Sequence, residues 1–560
     1  MLRSVRRAAA LVVAPALATF ALVAVPSSAT AAADPSPAAA GSGWLAAQPT
    51  NGMLSYLNFG FDTPDPGLTI DAALALQEVG GTAVPVGQIR DAIIAELGSD
   101  NPFRYGADYD YYYPEQPDPA AVRYTGHSAN ARAKSLAFLS TVVADPTNIG
   151  GMDLVSLLED VTTDAGPAAG RISDDAMKGG APYPAGDYAN VLGQAFAVRA
   201  LNQVSSPEAP AATAYLLAQQ CSAGFFAEVM PAADSAQQTC DGTAGKPSID
   251  ATALAVLSLL PQAQSPAVLT ALTKAATWLV QHQTADGAFR TDGDFGANAN
   301  STGLATWALG KLSAASPSAA AALAAPLAKG AVWVRNHQVT GIGTCQPVAA
   351  ATNGAIAYDD ADLAAGITDA NEGKWLRATT QALPALRFAP AGAGTNVLFT
   401  AEYVRAGTTP SVGVIGAAPG DKLCATTVDG QKILSTADAN GEAQFQIKLG
   451  TKTANTVVTV ANAAGVAGTA TIKALGAKKL PISLKAKVKK GKVQKVTVRG
   501  LAAGESVKVK VLGKTKRGQA NKKGVFTASA KATGKPRKVK VTVTGEFGNR
   551  SGTKTFKVVR

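Results

Sequence analysis

The chain has 560 residues, with 51 Lys+Arg against 40 Asp+Glu, a formal charge of +11 and 47% apolar residues. That charge is split: residues 478–560 hold 25 basic and 2 acidic side chains (+23), residues 1–33 add three arginines, and residues 34–477 carry −15. A uniformly basic protein is thereby excluded, the apolar content excludes wholesale disorder, and the length allows two to four domains.

In chain order, residues 1–33 read as a secretory signal peptide. Arg3, Arg6 and Arg7 precede an apolar run from Ala8 to Val25, and the exit Ala29-Thr30-Ala31-Ala32-Ala33 offers A-x-A cleavage sites. The alternative is an N-terminal membrane anchor, but the exit and the following Asp34-Pro35-Ser36-Pro37 favour cleavage. No later stretch approaches the ~18 uninterrupted apolar residues of a membrane span. The expected address is extracellular, with cell-wall association if the basic tail supplies it.

From Gly41 to about Ala389, apolar residues recur at three- and four-residue spacing between Pro/Gly/Asp loops. This predicts about a dozen helices, among them 69–79, 129–143, 187–204, 249–260, 267–283, 301–312 and 319–338. Beyond Thr408 the period becomes two, as in Val507-Lys508-Val509-Lys510-Val511. The expected organisation is a helical domain over 34–395, a β domain over 396–476 and a basic β domain over 477–560. The regular short strands suggest small immunoglobulin-like sandwiches.

Four cysteines in an exported chain point to disulfides, with three connectivities open. Cys221 and Cys240 flank a polar loop and are paired first. Cys345 and Cys424 would then tie the helical body to the first β domain. No C-x-x-C pair exists and only three histidines are present, so no metal site is expected. Without a Gly-x-Gly-x-x-Gly after a strand or a Walker loop, no nucleotide cofactor is expected either.

The helical part repeats itself. Lys274-Ala275-Ala276-Thr277-Trp278-Leu279 leads to Gln283, Gly287 and Phe289, and Lys329-Gly330-Ala331-Val332-Trp333-Val334 leads to Gln338 and Gly341. Tyr215 leads to Gln220, Gly224 and Phe226, and a shortened copy runs from Trp44 to Gln48 and Gly52. Helix starts at Ile70-Asp71, Ile249-Asp250 and Asn300-Ser301 follow, with Asp187–Asn190 and Asp359-Asp360 less neatly aligned. Their polar side chains can accept the free N–H groups of a first turn.

This pattern resembles the QW-type motif of the prenyltransferase and squalene-cyclase superfamily. The match is complete over 274–289, nearly so over 329–341, and the resemblance covers roughly residues 41–390. It implies a mainly α fold, an α6/α6 toroid of outer and inner helices (terpenoid-cyclase-like), followed here by the two β-sandwich domains. Exported actinobacterial proteins with such repeats look similar, including the stretch 145–155. In domain order the chain also resembles cobalamin carriers of the intrinsic-factor and transcobalamin type, which bind ligand between an α6/α6 ring and a β domain. The second, basic β unit departs from that pattern.

The superfamily contains enzymes and binders. The Asp-x-Asp-Asp acid of class II terpene cyclases has no match in the right order; the nearest strings are Asp108-Tyr109-Asp110 and Asp359-Asp360-Ala361-Asp362. Asp359, Asp360 and Asp362 are therefore the candidate catalytic residues, beside their reading as a charged helix start. His337 and His282 fall in the same repeat slot and read as structural. His127 precedes Ser128 without a Gly-x-Ser-x-Gly elbow.

Candidate ligand-binding residues are Tyr109, Tyr111, Tyr112 and Tyr113, in an aromatic stretch from Tyr105 interleaved with Asp108, Asp110 and Asp118. The alternative for that stretch is a loop packed over the ring end. Asp71, Asp250 and Asn300 join the candidates from the helix starts.

The +23 tail should attract polyanions, through a field larger than solubility requires. Phe526, Phe547 and Phe556 are too scattered for a base-stacking platform, so wall polymers or lipid head groups are expected before nucleic acid. The alternative is a solvated face that protects strand edges. The resulting expectation is a secreted, non-catalytic toroid protein that binds a small molecule or protein and is held at the envelope by its tail. A diverged terpene cyclase or prenyltransferase-type enzyme and a structural surface protein are the alternatives.

Overall fold

The computed structural model describes residues 33–58, 60–80, 83–97, 109–114, 121–242, 245–290, 296–399 and 401–560. Residues 1–32 of the expected leader, together with Tyr105, Asp108 and Asp118, lie outside the described residues.

The helices are α1 (Ser36–Ala46), α2 (Pro66–Val79), α3 (Ala83–Leu97), α4 (Ala129–Leu139), α5 (Leu154–Glu159), α6 (Val191–Gln203) and α7 (Ala209–Ala218). They continue as α8 (Ile249–Leu259), α9 (Pro266–His282), α10 (Ala299–Ala315), α11 (Pro317–Asn336), α12 (Asp360–Ala365) and α13 (Glu372–Ala382). Their starts follow from local chemistry. Asp65, Ser128, Asn190, Ser248 and Asn298 each accept a first-turn N–H with a side-chain oxygen. Several starts thus lie upstream of their expected places: Asp71 sits in the second turn of α2, and Asn300 is the second residue of α10.

α2 packs on α4, α4 on α6, α6 on α8, α8 on α10, α10 on α13, and α13 returns to α2. The intervening helices, called outer below, pack on members of this cycle: α3 on α2, α5 on α4, α7 on α6, α9 on α8, α11 on α10, and α1 on α2 and α13. One continuous core runs through the cycle from Ala38 to Leu386.

The repeated glutamines make this arrangement. Gln220 Nε2 donates to the Gly224 carbonyl in its own loop (2.9 Å) and to Ala271 O on α9 (2.9 Å). Gln283 does the same with Gly287 O (3.0 Å) and Pro326 O on α11 (2.9 Å). Gln338 donates to Gly354 O (3.1 Å) and to Pro37 O on α1 (2.9 Å), joining the last outer helix to the first. Each glutamine satisfies one loop carbonyl and one carbonyl of the next outer helix, groups that would be costly to bury unpaired.

Gly341, read from the sequence as the glycine of the last copy, does not occupy that place. The loop after Gln338 is longer, and Gly354 takes the position. A second periodic device has no counterpart in the motif: the Leu54, Phe226, Phe289 and Ile356 N–H groups donate to Oγ1 of Thr69, Thr252, Thr302 and Thr379. On α6 Gln194 Oε1 takes this part, accepting from Ile172 N at 2.9 Å.

Within the tyrosine stretch, residues 109–114 form a strand rather than a loop. Tyr109–Pro114 pairs antiparallel with Ala121–His127, which pairs on with Asp175–Lys178 and Ala181–Pro182.

Beyond Phe388 two further cores form, each between two sheets. The first takes strands from 396–475, with Val412, Leu423, Phe445, Val458 and Ile472 inside. The second takes strands from 478–559, with Val496, Val509, Val541 and Phe556 inside. Alternation of small or β-branched residues inward with Lys and Thr outward produces both.

Two disulfides are present, Cys221–Cys240 and Cys345–Cys424, with Cα separations of 5.0 and 5.6 Å. The second joins the loop after α11 to the strand Lys422–Thr427. Arg335 on α11 reinforces the junction, donating to Asp34 (2.9 Å) and Asp421 (3.2 Å). Among the described residues no helix is long and apolar enough to cross a membrane.

Candidate functional site

Two places gather polar groups. The first lies at the starts of α8, α10 and α12. Ser248 caps α8, which places Asp250 in its first turn; Asn298 caps α10, which places Asn300 likewise. Asp250 Oδ1 and Asn300 Oδ1 are both buried without a hydrogen-bond partner. Burial pushes the Asp250 carboxyl up to about 6, against the pull of the Ser301 hydroxyl, and the charge of Glu228 adds to the rise. The Tyr358 phenol is also raised, by burial and then by the charges of Asp250, Asp359 and Asp362. Lys374 Nζ stands 5.9 Å from the centre of that ring and 3.7 Å from Asp362 Oδ2.

The candidate acids do not converge on one point. Asp359 caps α12 by accepting the Asp362 N–H at 2.8 Å. The Asp360 side chain is 97% exposed and stands 3.1 Å from His337 Nε2. Asp362 alone is buried, accepting from Asn371 Nδ2 at 3.4 Å. Asp71 stands apart from them in an ion pair with Lys134 Nζ at 2.7 Å; burial raises its carboxyl and Lys134 opposes the rise.

His282 and His337 stack on Trp278 and Trp333, with ring centroids 4.1 and 3.7 Å apart, and their Nδ1 atoms lie 2.8 and 2.9 Å from the tryptophan carbonyls. His127 ends a strand, 3.5 Å from Asp175. Among the described residues no three His, Cys, Asp or Glu side chains stand close enough to hold a metal. Of Tyr109, Tyr111, Tyr112 and Tyr113 only the strand register is described: Tyr111 opposite Tyr124, Tyr112 opposite Arg123.

Asp250 makes the stability of the fold depend on pH. Because its folded value lies above the unfolded one, folding takes up a proton there. The stabilisation is complete below about pH 4 and is lost as pH rises through about 6. Asp250→Asn should therefore raise stability at pH 7 by about 1–3 kcal/mol and flatten the stability profile between those limits. Urea melts at several pH values check this, and parallel profiles for the two proteins would refute it.

The second place is a cleft of about 290 Å³ where the ring meets the first β unit. Its walls are Val339 and Gln346 from the loop after α11, Leu363 and Ile367 from α12 and beyond, Trp375 from α13, and Lys422 and Leu434 from the β unit. The Cys345–Cys424 bridge lies beside it in sequence on both walls, next to Gln346 and two residues from Lys422. The Trp375 indole N–H, on a side chain with no solvent exposure, and Gln346 Oε1 are buried without partners. Lys422 donates to Gln338 O at 3.0 Å, and burial lowers its ammonium pKa.

A larger open groove of about 720 Å³ runs beside α1 and the end of α2. Alanines and glycines dominate its lining, and its one cation, Arg387, is engaged by Glu78. It lacks converging polar groups. Nothing in the sequence signalled the Trp375–Gln346–Lys422 set, because the three lie on segments far apart in the chain.

No family model matches the chain, and no curated protein matches it. Among solved structures it is similar to a protein from Actinoplanes, at 18% identity and a TM-score of 0.39, covering 63% of this chain and 99% of the other. It is similar also to the type II terpene cyclase MstE from Scytonema (15%, TM-score 0.41, 63% and 97% covered). A third is the ent-copalyl diphosphate synthase from Streptomyces platensis (16%, TM-score 0.34, 59% and 52% covered). Similarities of this size carry no inference about activity.

Proposed function

We propose that this protein is an exported, non-catalytic binding protein whose ligand site is the cleft between ring and first β unit. In this reading residues 1–33 are a leader and 34–395 an α6/α6 toroid. Residues 396–476 and 477–560 are two immunoglobulin-like sandwiches, the second holding the protein at the envelope by its charge. The observation that carries the reading is the cleft. A cross-link spans its two walls, and an unpartnered indole N–H, an unpartnered amide oxygen and a lysine share its apolar lining. Such a lining suits a small molecule with an apolar body, one anionic or hydrogen-bond-accepting group for the indole N–H and the lysine, and one donor for the amide oxygen.

Native mass spectrometry of the purified protein, with and without Trp375→Phe and Lys422→Gln, tests this. The wild type is expected to retain a small molecule, and each variant to bind it about five- to tenfold more weakly. Equal retention by all three proteins would remove the cleft from consideration.

The raised Asp250 carboxyl, buried with one oxygen unpartnered, favours a second reading, a diverged cyclase-type enzyme with Asp250 as proton donor. Turnover of a prenyl substrate that Asp250→Asn abolishes would establish that reading and displace the first.

A further inference from the structure

We propose that the outward face of the larger sheet in residues 478–560 is a binding surface for a phosphodiester-linked polyanion. The inference deepens the envelope-retention reading above and rests on it. Strands Ser506–Val511, Lys514–Gln519, Arg537–Thr544 and Arg550–Val559 pair antiparallel, so cross-strand partners share a face. Val507, Val509, Val511, Val541 and Val543 point into the core. Lys508, Lys510, Arg517, Lys538, Lys540 and Lys557 are exposed, and the strand register gathers them on the opposite face.

Three observations separate this face from an ordinary solvated sheet. Its charges are arranged against stability: Lys508 stands directly opposite Arg517, and Lys538 directly opposite Lys557. Like-charged cross-strand pairs are destabilising unless a counter-charge lies between them. The two carboxylates of the region are engaged elsewhere, Glu505 with buried Arg550 and Glu546 with the Ser506 N–H. Hydroxyls fill the rows between the cations, with Thr542 between Lys510 and Thr553, and Thr555 opposite Lys540.

That chemistry selects the partner. Same-face residues along a strand repeat at ~6.8 Å and neighbouring strands lie ~4.8 Å apart. Successive phosphates of an extended short-polyol phosphodiester chain are spaced similarly. Each phosphate offers oxygens for one ammonium and one threonine hydroxyl. A membrane is the poorer fit: among the described residues of this region the one exposed large apolar side chain is Val493, on the smaller sheet. A base-stacking ligand is poorer too, since Phe556 is buried and Phe526 and Phe547 are half-buried.

The test compares the full chain with Lys508→Gln/Lys510→Gln/Lys540→Gln on the face and Lys522→Gln/Lys523→Gln/Lys535→Gln in the turns, an equal change of charge. The probes are poly(glycerol phosphate), polyglutamate of matched charge, and phosphatidylglycerol vesicles. Poly(glycerol phosphate) should bind best and raise the melting temperature. The face variant should bind it about tenfold more weakly, with a salt slope about two units shallower, and the turn variant should change about twofold or less. Equal losses in both variants, or tighter binding to polyglutamate or vesicles, would overturn the assigned face or its phosphodiester class. Retention on isolated cell walls that ignores added salt would instead sink the retention reading itself.

Discussion

Replacing Glu505 with glutamine should unfold the C-terminal β unit under conditions where the helical ring stays folded. Glu505 and Arg550 are 0% and 2% exposed, and the carboxylate accepts both arms of the guanidinium at 2.7 Å. Two further donors of Arg550 go to Gly476 O (3.2 Å) and Gly500 O (3.3 Å), and Glu505 also accepts the Ala502 N–H at 2.6 Å. Glutamine keeps the shape but leaves an uncompensated guanidinium in the core, which costs about 3–5 kcal/mol. That approaches the whole stability of a unit this size.

Burial alone would raise the Glu505 carboxyl. The Arg550 fork and the backbone N–H groups of Ala502 and Glu546 outweigh it and hold the group below the ordinary carboxylate range. With the folded value depressed, the stabilisation is present above the unfolded value and is lost as pH falls through the folded one. Hydrogen exchange resolved along the chain reads both effects. Loss of protection in 478–560 with the ring unchanged is the expected pattern, and Glu546→Gln, at an exposed position, is the control. Wild-type protection in Glu505→Gln would show that the ion pair does not hold the unit together.

Gly354→Ala should open the seam where the last outer helix meets the first. Gly354 has φ +101°, and a Cβ there would sit 2.1 Å from the Ala40 carbonyl oxygen on α1. The obstacle is the backbone of Ala40 and Gly41 rather than a side chain that could swing away. The variant should lose about 3 kcal/mol or more, and with it the Gln338 bonds that join Pro37 O to Gly354 O. Gly366 provides the contrast: φ is +73° but the space around a Cβ is open. Gly366→Ala should cost only the left-handed backbone penalty, about 1–2 kcal/mol. Thermal melts of the two variants side by side decide the matter, and equal losses would refute the close-approach account.

The repeat motif was legible because its elements are close in sequence. Trp278, Gln283 and Gly287, or Tyr215, Gln220 and Gly224, span about three turns, and the spacing survives from copy to copy. The last copy misled for the same reason. Gly341 sits near the expected interval after Gln338, but the loop had lengthened, and only the returning chain shows that Gly354 meets α1. The threonines at 69, 252, 302 and 379 were not legible, because a Thr within a helix carries no signal until the loop N–H that it accepts is known. The string from Asp359 to Asp362 suggested one acid site, yet successive helical positions point in different directions, so one residue caps, one is exposed and one is buried.

The charge with which the chain opens belongs to the sequence alone: +23 on the last 83 residues and −15 on the body follow from counting. So do the change of period near Thr408 and the helical repeat before it, since periodicity is a local property of side-chain order. The partners of each side chain were decided only by the tertiary structure. Which outer-helix carbonyl each glutamine reaches, which lysines share one sheet face, and how Trp375, Gln346 and Lys422 come to line one cleft all depend on distances between remote segments. Those distances are fixed when the cores close, and they convert an inventory of residues into sites.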